Sequence, residues 1–385
     1  MSERIRVIHI CDKFSVSGSS IHGVGRLFSW WFPRFDRDNF DVSLVGLRPE
    51  DRASRDLANE GIDITTLNKG KYDVTTLSAL SSLLRERKPH IVHLHGYAAT
   101  IFGIPAAKKL GIKIVLHEHF VDPNMPFYQK PFDYALCSRV DIGMANCEAV
   151  REFMIEKRHL PENKTLVVYN GAPVENFQQA EMDAVVAERR RWGIPDDYKI
   201  IATIGRLDEQ KGNKYFVDAA ASLLKERTNL KFLMVGDGPL MEDLKKQCEQ
   251  EGISDDVIFT GFQANIPLIQ SMLDIQVFPS LWEGTTLTVF EAMSVGVPIV
   301  STDVDGLGEV LDHERNALLV NAANASKLSA AIARVLDQPD LAKTLISNAT
   351  EDVNTKFNIQ TTVDTLQNVY SDLVKGERIS VGDTG

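Results

Sequence analysis

Short apolar runs alternate with longer amphipathic stretches along this chain. The runs at 6–11, 40–46, 91–94, 113–116, 142–146 and 166–169 read as strands. A strand covered on both faces carries an almost unbroken apolar run, which is the pattern here. Helical stretches lie between them. The alternation restarts at 200–204 and continues at 232–235, 257–260, 275–278 and 298–301. Strand and helix in alternation predict open parallel sheets wrapped by helices, the α/β class. Asn170-Gly171-Ala172-Pro173 breaks the first series, and Gly193-Ile194-Pro195 precedes the second, so the hinge is placed between 171 and 198. The predicted domains are 1–172 and 173–357, two doubly wound Rossmann-like domains. Facing each other, they would leave a cleft, the default place for a ligand.

Composition narrows the function classes. The chain has 385 residues, enough for two domains with proper cores. A net charge of −11 with no long basic block argues against nucleic acid as a partner. It also weakens electrostatic anchoring to a membrane, leaving room only for local peripheral contact. Cys11, Cys137, Cys147 and Cys248 lack metal-like spacing and point to a reduced compartment. The start, MSERIRVIHIC, runs straight into a strand and reads as no signal peptide. No apolar run is long enough to span a bilayer. The expected place is the cytoplasm, with peripheral contact at the inner membrane face left open.

The densest candidate chemistry lies in PSLWEGTTLTVFEAMSVG, residues 279–296. An apolar strand precedes it, a polar turn follows, and a helix then runs through Leu287, Val289, Phe290, Ala292 and Met293 to a C′ glycine, Gly296. A hydroxyl of Thr285 or Thr286 is expected to cap that helix. Free N–H groups at a helix start attract an anion such as phosphate. Glu283 stands in the turn and Glu291 inside the helix, so two carboxylates flank the anion site. A sugar, two phosphates and a ribose have that form. The plain alternative is a pair of solvated helix-end glutamates.

Other candidates are scattered. Gly205-Arg206 and Lys211-Gly212 follow the first strand of the second domain, where Arg and Lys would neutralise a diphosphate. In the first domain, SVSGSSIHGVGR (15–26) is a glycine loop leading into a helix, a phosphate-approach arrangement. The aromatic cluster after it, with Leu27, Phe28, Trp30, Trp31, Phe32 and Phe35, reads as core rather than as an acceptor or membrane surface. His93 and His95, and His117 and His119, form two H-x-H pairs. Each points both rings to one strand face, but no third or fourth metal ligand is evident, so no metal site is expected. Glu118 should point away from that face.

These segments together resemble the glycosyltransferase family 4 pattern of GT-B enzymes, in which seven residues separate two glutamates. The matching segments are YNGAPVENF (169–177), IGRLDEQKG (204–212), MVGDGPL (234–240), FTGF (259–262), FPSLWEG (278–284), FEAMSVGVPIVST (290–302) and GEVL (308–311). The resemblance covers nearly the whole chain, strongly in the second half and more loosely in the first. It implies that Arg206 and Lys211 bind the donor phosphates and Glu291 the ribose. Glu283 and the amides of Gly284, Thr285, Thr286 and Leu287 would hold the sugar and phosphate, and Phe262 would lie near the base through its backbone. Gly23 and Gly25 match the family's first-domain glycines. His119 matches the donor-side histidine, with His117 at the family's usual threonine position. The final helix, 358–375, would cross back to the first domain, leaving 376–385 as a polar tail.

The resemblance thus implies a metal-independent, retaining glycosyltransferase that needs no cofactor. Its donor would be a nucleotide-sugar, UDP-linked by family weighting. Its acceptor would be a saccharide or lipid-linked saccharide. The rivals are a nucleotide-sugar epimerase or a phosphorylase of the same fold, and a non-catalytic nucleotide-sugar-binding module.

Overall fold

A computed structural model describes residues 3–16, 20–21, 23–121, 125, 129–377 and 379. The chain divides into two compact units. One runs up to Asn170 and takes in the chain from Ile359 onward, and the other is Gly171–Asn358.

The strands of the first unit are β1 (Ile5–Cys11), β2 (Ser15–Val16), β3 (Ser20–Ile21), β4 (Phe40–Gly46), β5 (Ile64–Thr66), β6 (Ile91–His95), β7 (Lys113–Glu118), β8 (Ile142–Ala145) and β9 (Thr165–Val167). β2 and β3 form a small antiparallel pair. The other seven make one sheet in the order β5-β4-β1-β6-β7-β8-β9, and every pairing in it is parallel. The second unit holds β10 (Lys199–Ile204), β11 (Leu230–Val235), β12 (Val257–Gly261), β13 (Ile275–Phe278), β14 (Ile299–Thr302) and β15 (Leu318–Val320). They form a parallel sheet in the order β12-β11-β10-β13-β14-β15. Both are Rossmann-like. In each the chain builds outward on one side and then returns to build on the other. The order reverses between β1 and β6 in the first unit and between β10 and β13 in the second. Open α/β sheets bind ligands outside the carboxyl ends of the strands at such a switch point.

The interior strands follow the apolar runs. β5 and β15, three residues each and both at a sheet edge, escape the sequence pattern because so short a run shows no period. The aromatic cluster after the glycine loop is core, since Leu27, Phe28, Trp30, Trp31, Phe32 and Phe35 are all buried. Gly23 and Gly25 lie in the helix Gly23–Trp31, while positions 17–19 and 22 of the loop fall outside the described residues. The last helix, Ile359–Lys375, packs against β1 and the Gly23–Trp31 helix, within the first unit. Most of the predicted tail, 378 and 380–385, lies outside the described residues. No helix among the described residues is long and apolar enough to cross a membrane.

Candidate functional site

At the switch point of the second unit, the loop after β10 meets the loop after β13. The two are sewn together by backbone. The Leu281 N–H donates to the Gln210 carbonyl at 2.8 Å. Gly212 has φ +60, and a Cβ there would lie 2.1 Å from the Pro279 carbonyl oxygen, so only glycine lets the loops approach this closely. The GDGP turn has a similar cause. Gly236 has φ +130, and a Cβ on it would meet the Gly205 carbonyl oxygen at 2.0 Å.

This crossing brings four polar side chains together. Glu283 is nearly closed to solvent. Its carboxylate accepts from Lys211 Nζ at 2.5 Å, from Gln210 Nε2 at 3.1 Å and from Ser280 Oγ at 3.3 Å. Its own N–H donates to the Asp305 carboxylate at 3.3 Å. Arg206, on the same loop as Lys211, keeps a side chain more than half exposed and pairs with Asp208 at 2.8 Å. Gln210, Ser280, Asp208 and Asp305 were not singled out in the sequence. Gln210 directly precedes Lys211 and Ser280 lies three residues before Glu283, and that nearness was the one available signal.

The helix Leu287–Val295 begins where expected and stops at Gly296, whose φ of 81° is left-handed. Thr286 stands at the N-cap position, but its side chain does not cap the helix. Its hydroxyl lies 3.2 Å from that of Thr288 instead, which removes Thr286 from the two hydroxyls expected to cap. Gly284, Thr285 and Leu287 are buried in this turn. Glu291 is wholly buried, not a solvated helix-end residue. A carboxylate inside a unit is costly unless it is bonded. Phe262 is 57% exposed, and its backbone N–H donates to the Asp237 carboxylate at 3.2 Å.

The first unit carries its own polar cluster. Register sets it up, because His9 pairs with His93 across β1 and β6, and His95 pairs with His117 across β6 and β7. Side chains two apart share a strand face, so His9, His93, His95, His117 and His119 line one side of the sheet. Tyr370 of the last helix reaches the same cluster. The sequence showed no third ligand to go with each histidine pair, and the fold supplies one. Ring nitrogens of His9, His93 and His95 lie within 4.8 Å of one another, as do those of His95, His117 and His119, a spacing that could hold an ion. Glu118 lies elsewhere, paired with Arg158, which also binds Asp133 at 2.8 Å. All three are buried.

Residues 186–352 match the family described as "Glycosyl transferases group 1", and residues 22–176 match "Glycosyltransferase Family 4". The UDP-Gal:alpha-D-GlcNAc-diphosphoundecaprenol alpha-1,3-galactosyltransferase of Escherichia coli is 28% identical over 372 residues, covering 92% of this chain and 95% of its own. Glycosyltransferase MJ1607 of Methanocaldococcus jannaschii is 32% identical over 240 residues, which span 62% of this chain and 60% of that relative. Among solved structures, a glycosyltransferase from Rickettsia africae superposes with a TM-score of 0.85 at 18% identity, covering 98% of this chain and 100% of its own. Anabaena Alr3699/HepE in complex with UDP-glucose superposes with a TM-score of 0.81 at 18% identity, over 96% of this chain and 100% of its own.

Proposed function

The chain belongs to the group 1 glycosyltransferases of the GT-B fold, and from that premise we propose that it moves a sugar from a UDP-sugar to a hydroxyl of a saccharide or lipid-linked saccharide. The transfer retains configuration and needs no metal or other cofactor. The observation that carries this reading is the loop crossing at the second unit's switch point. There Lys211 meets Glu283, with Arg206 on the same loop. The donor and acceptor classes draw support from the Escherichia coli relative, which is matched along nearly its whole length and is named for UDP-Gal and a diphosphoundecaprenol-linked sugar.

In this reading Arg206 and Lys211 take the charge that builds on the leaving diphosphate, where preorganised cations act most strongly. They do what a bound metal would otherwise do. Glu291 holds the ribose hydroxyls, and Glu283 with the amides of 285–287 holds hydroxyls of the sugar. The backbone at Phe262 faces the base. In the first unit, His119 bonds a sugar hydroxyl, and Gly23 and Gly25 let backbone come near phosphate. Glu283 already accepts from three side chains and is not poised as a nucleophile. The route is therefore front-face. The bond from the anomeric carbon to the phosphate oxygen breaks, and the bond to the acceptor oxygen forms on the same side. The acceptor's proton passes to the departing phosphate. The work is done in the cytoplasm, with peripheral contact at the inner membrane face when the acceptor is a lipid.

The test is UDP release from a panel of UDP-sugars, with and without saccharide and lipid-linked acceptors, in the presence and absence of a chelator. Acceptor-dependent release unaffected by chelator is expected. Isomerised donor without acceptor would make the protein an epimerase, and tight binding with neither outcome would make it a binding module. Either would overturn the reading.

A further inference from the structure

We propose that Gln210 is a positioning residue for the transfer: its side-chain amide fixes the Glu283 carboxylate so that one oxygen, Oε1, stays open to a hydroxyl of the donor sugar. The assignment rests on the transfer reading, in which Glu283 holds that sugar.

Gln210 lies on the loop after β10 and Glu283 on the loop after β13, and Gln210 bonds across that gap twice. Its carbonyl accepts from the Leu281 N–H at 2.8 Å, and its Nε2 donates to Glu283 Oε1 at 3.1 Å. An ionised carboxylate only accepts, so the amide must turn its NH2 toward it. The main chain is already pinned, because Gly212, two residues on, lets the loops touch. The side chain then has only its own rotamers to lose in making the bond.

The three side-chain donors on Glu283 divide unevenly. Lys211 Nζ and Ser280 Oγ both reach Oε2, whereas Gln210 alone among the described residues reaches Oε1. A carboxylate offers about four acceptor positions, roughly two on each oxygen. Oε2 is therefore filled, and Oε1 has a position left. The Glu283 side chain is not fully sealed, at 10% exposed.

The last torsion of a glutamate is broad and roughly two-fold. Held at Oε2 only, the carboxylate could swing Oε1 about that anchor. The bond from Gln210 selects one rotation. A neutral donor suits the place. Lys211 already supplies the positive charge on Glu283. A second cation at Oε1 would repel Lys211, and a second carboxylate there would repel Glu283.

The experiment is calorimetric binding of UDP alone and of a panel of UDP-sugars, UDP-galactose and UDP-glucose among them, to the full-length protein. Wild type is compared with Gln210→Met, which keeps the length of the side chain without its N–H, and with Gln210→Glu. Gln210→Met should weaken the best-bound UDP-sugar about tenfold, the scale of one hydrogen bond to a charged group, and leave UDP alone unchanged. Gln210→Glu should weaken the UDP-sugar further, since it sets a second acceptor against Oε1. Unchanged UDP-sugar affinity in either variant would overturn the proposal. So would a Gln210→Met protein that loses UDP and UDP-sugar alike, because that pattern is a general loosening of the loops. Should Gln210→Met fail to fold, Gln210→Glu, closer in shape and polarity, decides alone. A wild type that binds no UDP-sugar would overturn the transfer reading, and this assignment with it. A wild type that binds one, beside variants that bind it equally well, overturns the assignment only.

Discussion

Glu283 shows what a single carboxylate gains from its neighbours. Lys211, Gln210 and Ser280 all reach it where little solvent remains. Lys211 is thereby held in one orientation. Removing Lys211, Arg206 or Glu291 by substitution with Ala should lower kcat/KM for the donor by on the order of 10²-fold, the scale seen when one preorganised stabilising group is lost. Steady-state UDP release measures it, and near-normal turnover in any of the three would contradict the donor-site assignment. Cys248→Ser, in the core behind the sheet, should change that turnover little. Arg206, Lys211, Glu283 and Glu291 stood out as candidates because their types and spacings are local in sequence. Asp305 was not, since its carboxylate meets the Glu283 N–H across 22 residues and nothing local announces that contact.

At the level of elements, the two loops at the switch point act as one piece because Gly212 lets them touch. Gly212→Ala would combine a left-handed backbone, costing about 1–2 kcal/mol for a residue with a side chain, with a close approach to the Pro279 oxygen. We expect a lower urea midpoint and weaker UDP binding together. A variant as stable as wild type with unchanged affinity would show that the crossing does not position the site. The helix beyond it was readable from its apolar face and its terminal glycine. Its capping was not, because whether Thr286 turns its hydroxyl inward depends on the packing of the turn, which sequence does not carry. The edge strands β5 and β15 were missed for a related reason. Three residues hold too little pattern, and pairing with a neighbour makes them strands.

For the whole molecule, the histidine cluster ties stability to pH. Burial lowers His9 to about 3 and sets His93, His95 and His117 well below their ordinary value. Their unfolded counterparts bind protons below about 6.5. The unfolded state therefore holds more protons as pH drops from there toward 3. The stability these rings contribute is whole above pH 6.5 and is lost as acid rises. Each ring adds a slope of at most about 1.4 kcal/mol per pH unit. Urea midpoints should be level above neutrality and fall from pH 6.5 to 5, and a level profile across that range would contradict the buried, neutral cluster. Sequence displayed the two H-x-H pairs but not their companions. His9 joins them through strand register, and Tyr370 lies 277 residues from His93. Only the folded topology makes them neighbours.

That distance bears on how the chain is made. The second unit is one continuous stretch, Gly171–Asn358, whereas the first needs Ile359–Lys375 to finish its interior. During synthesis the amino-terminal half leaves the ribosome first but must wait, unfinished, for the final helix. The later half can close before it. A chain truncated before Ile359 should carry a complete second unit beside a first one with His9 and His93 short of their phenol, a natural client for a chaperone.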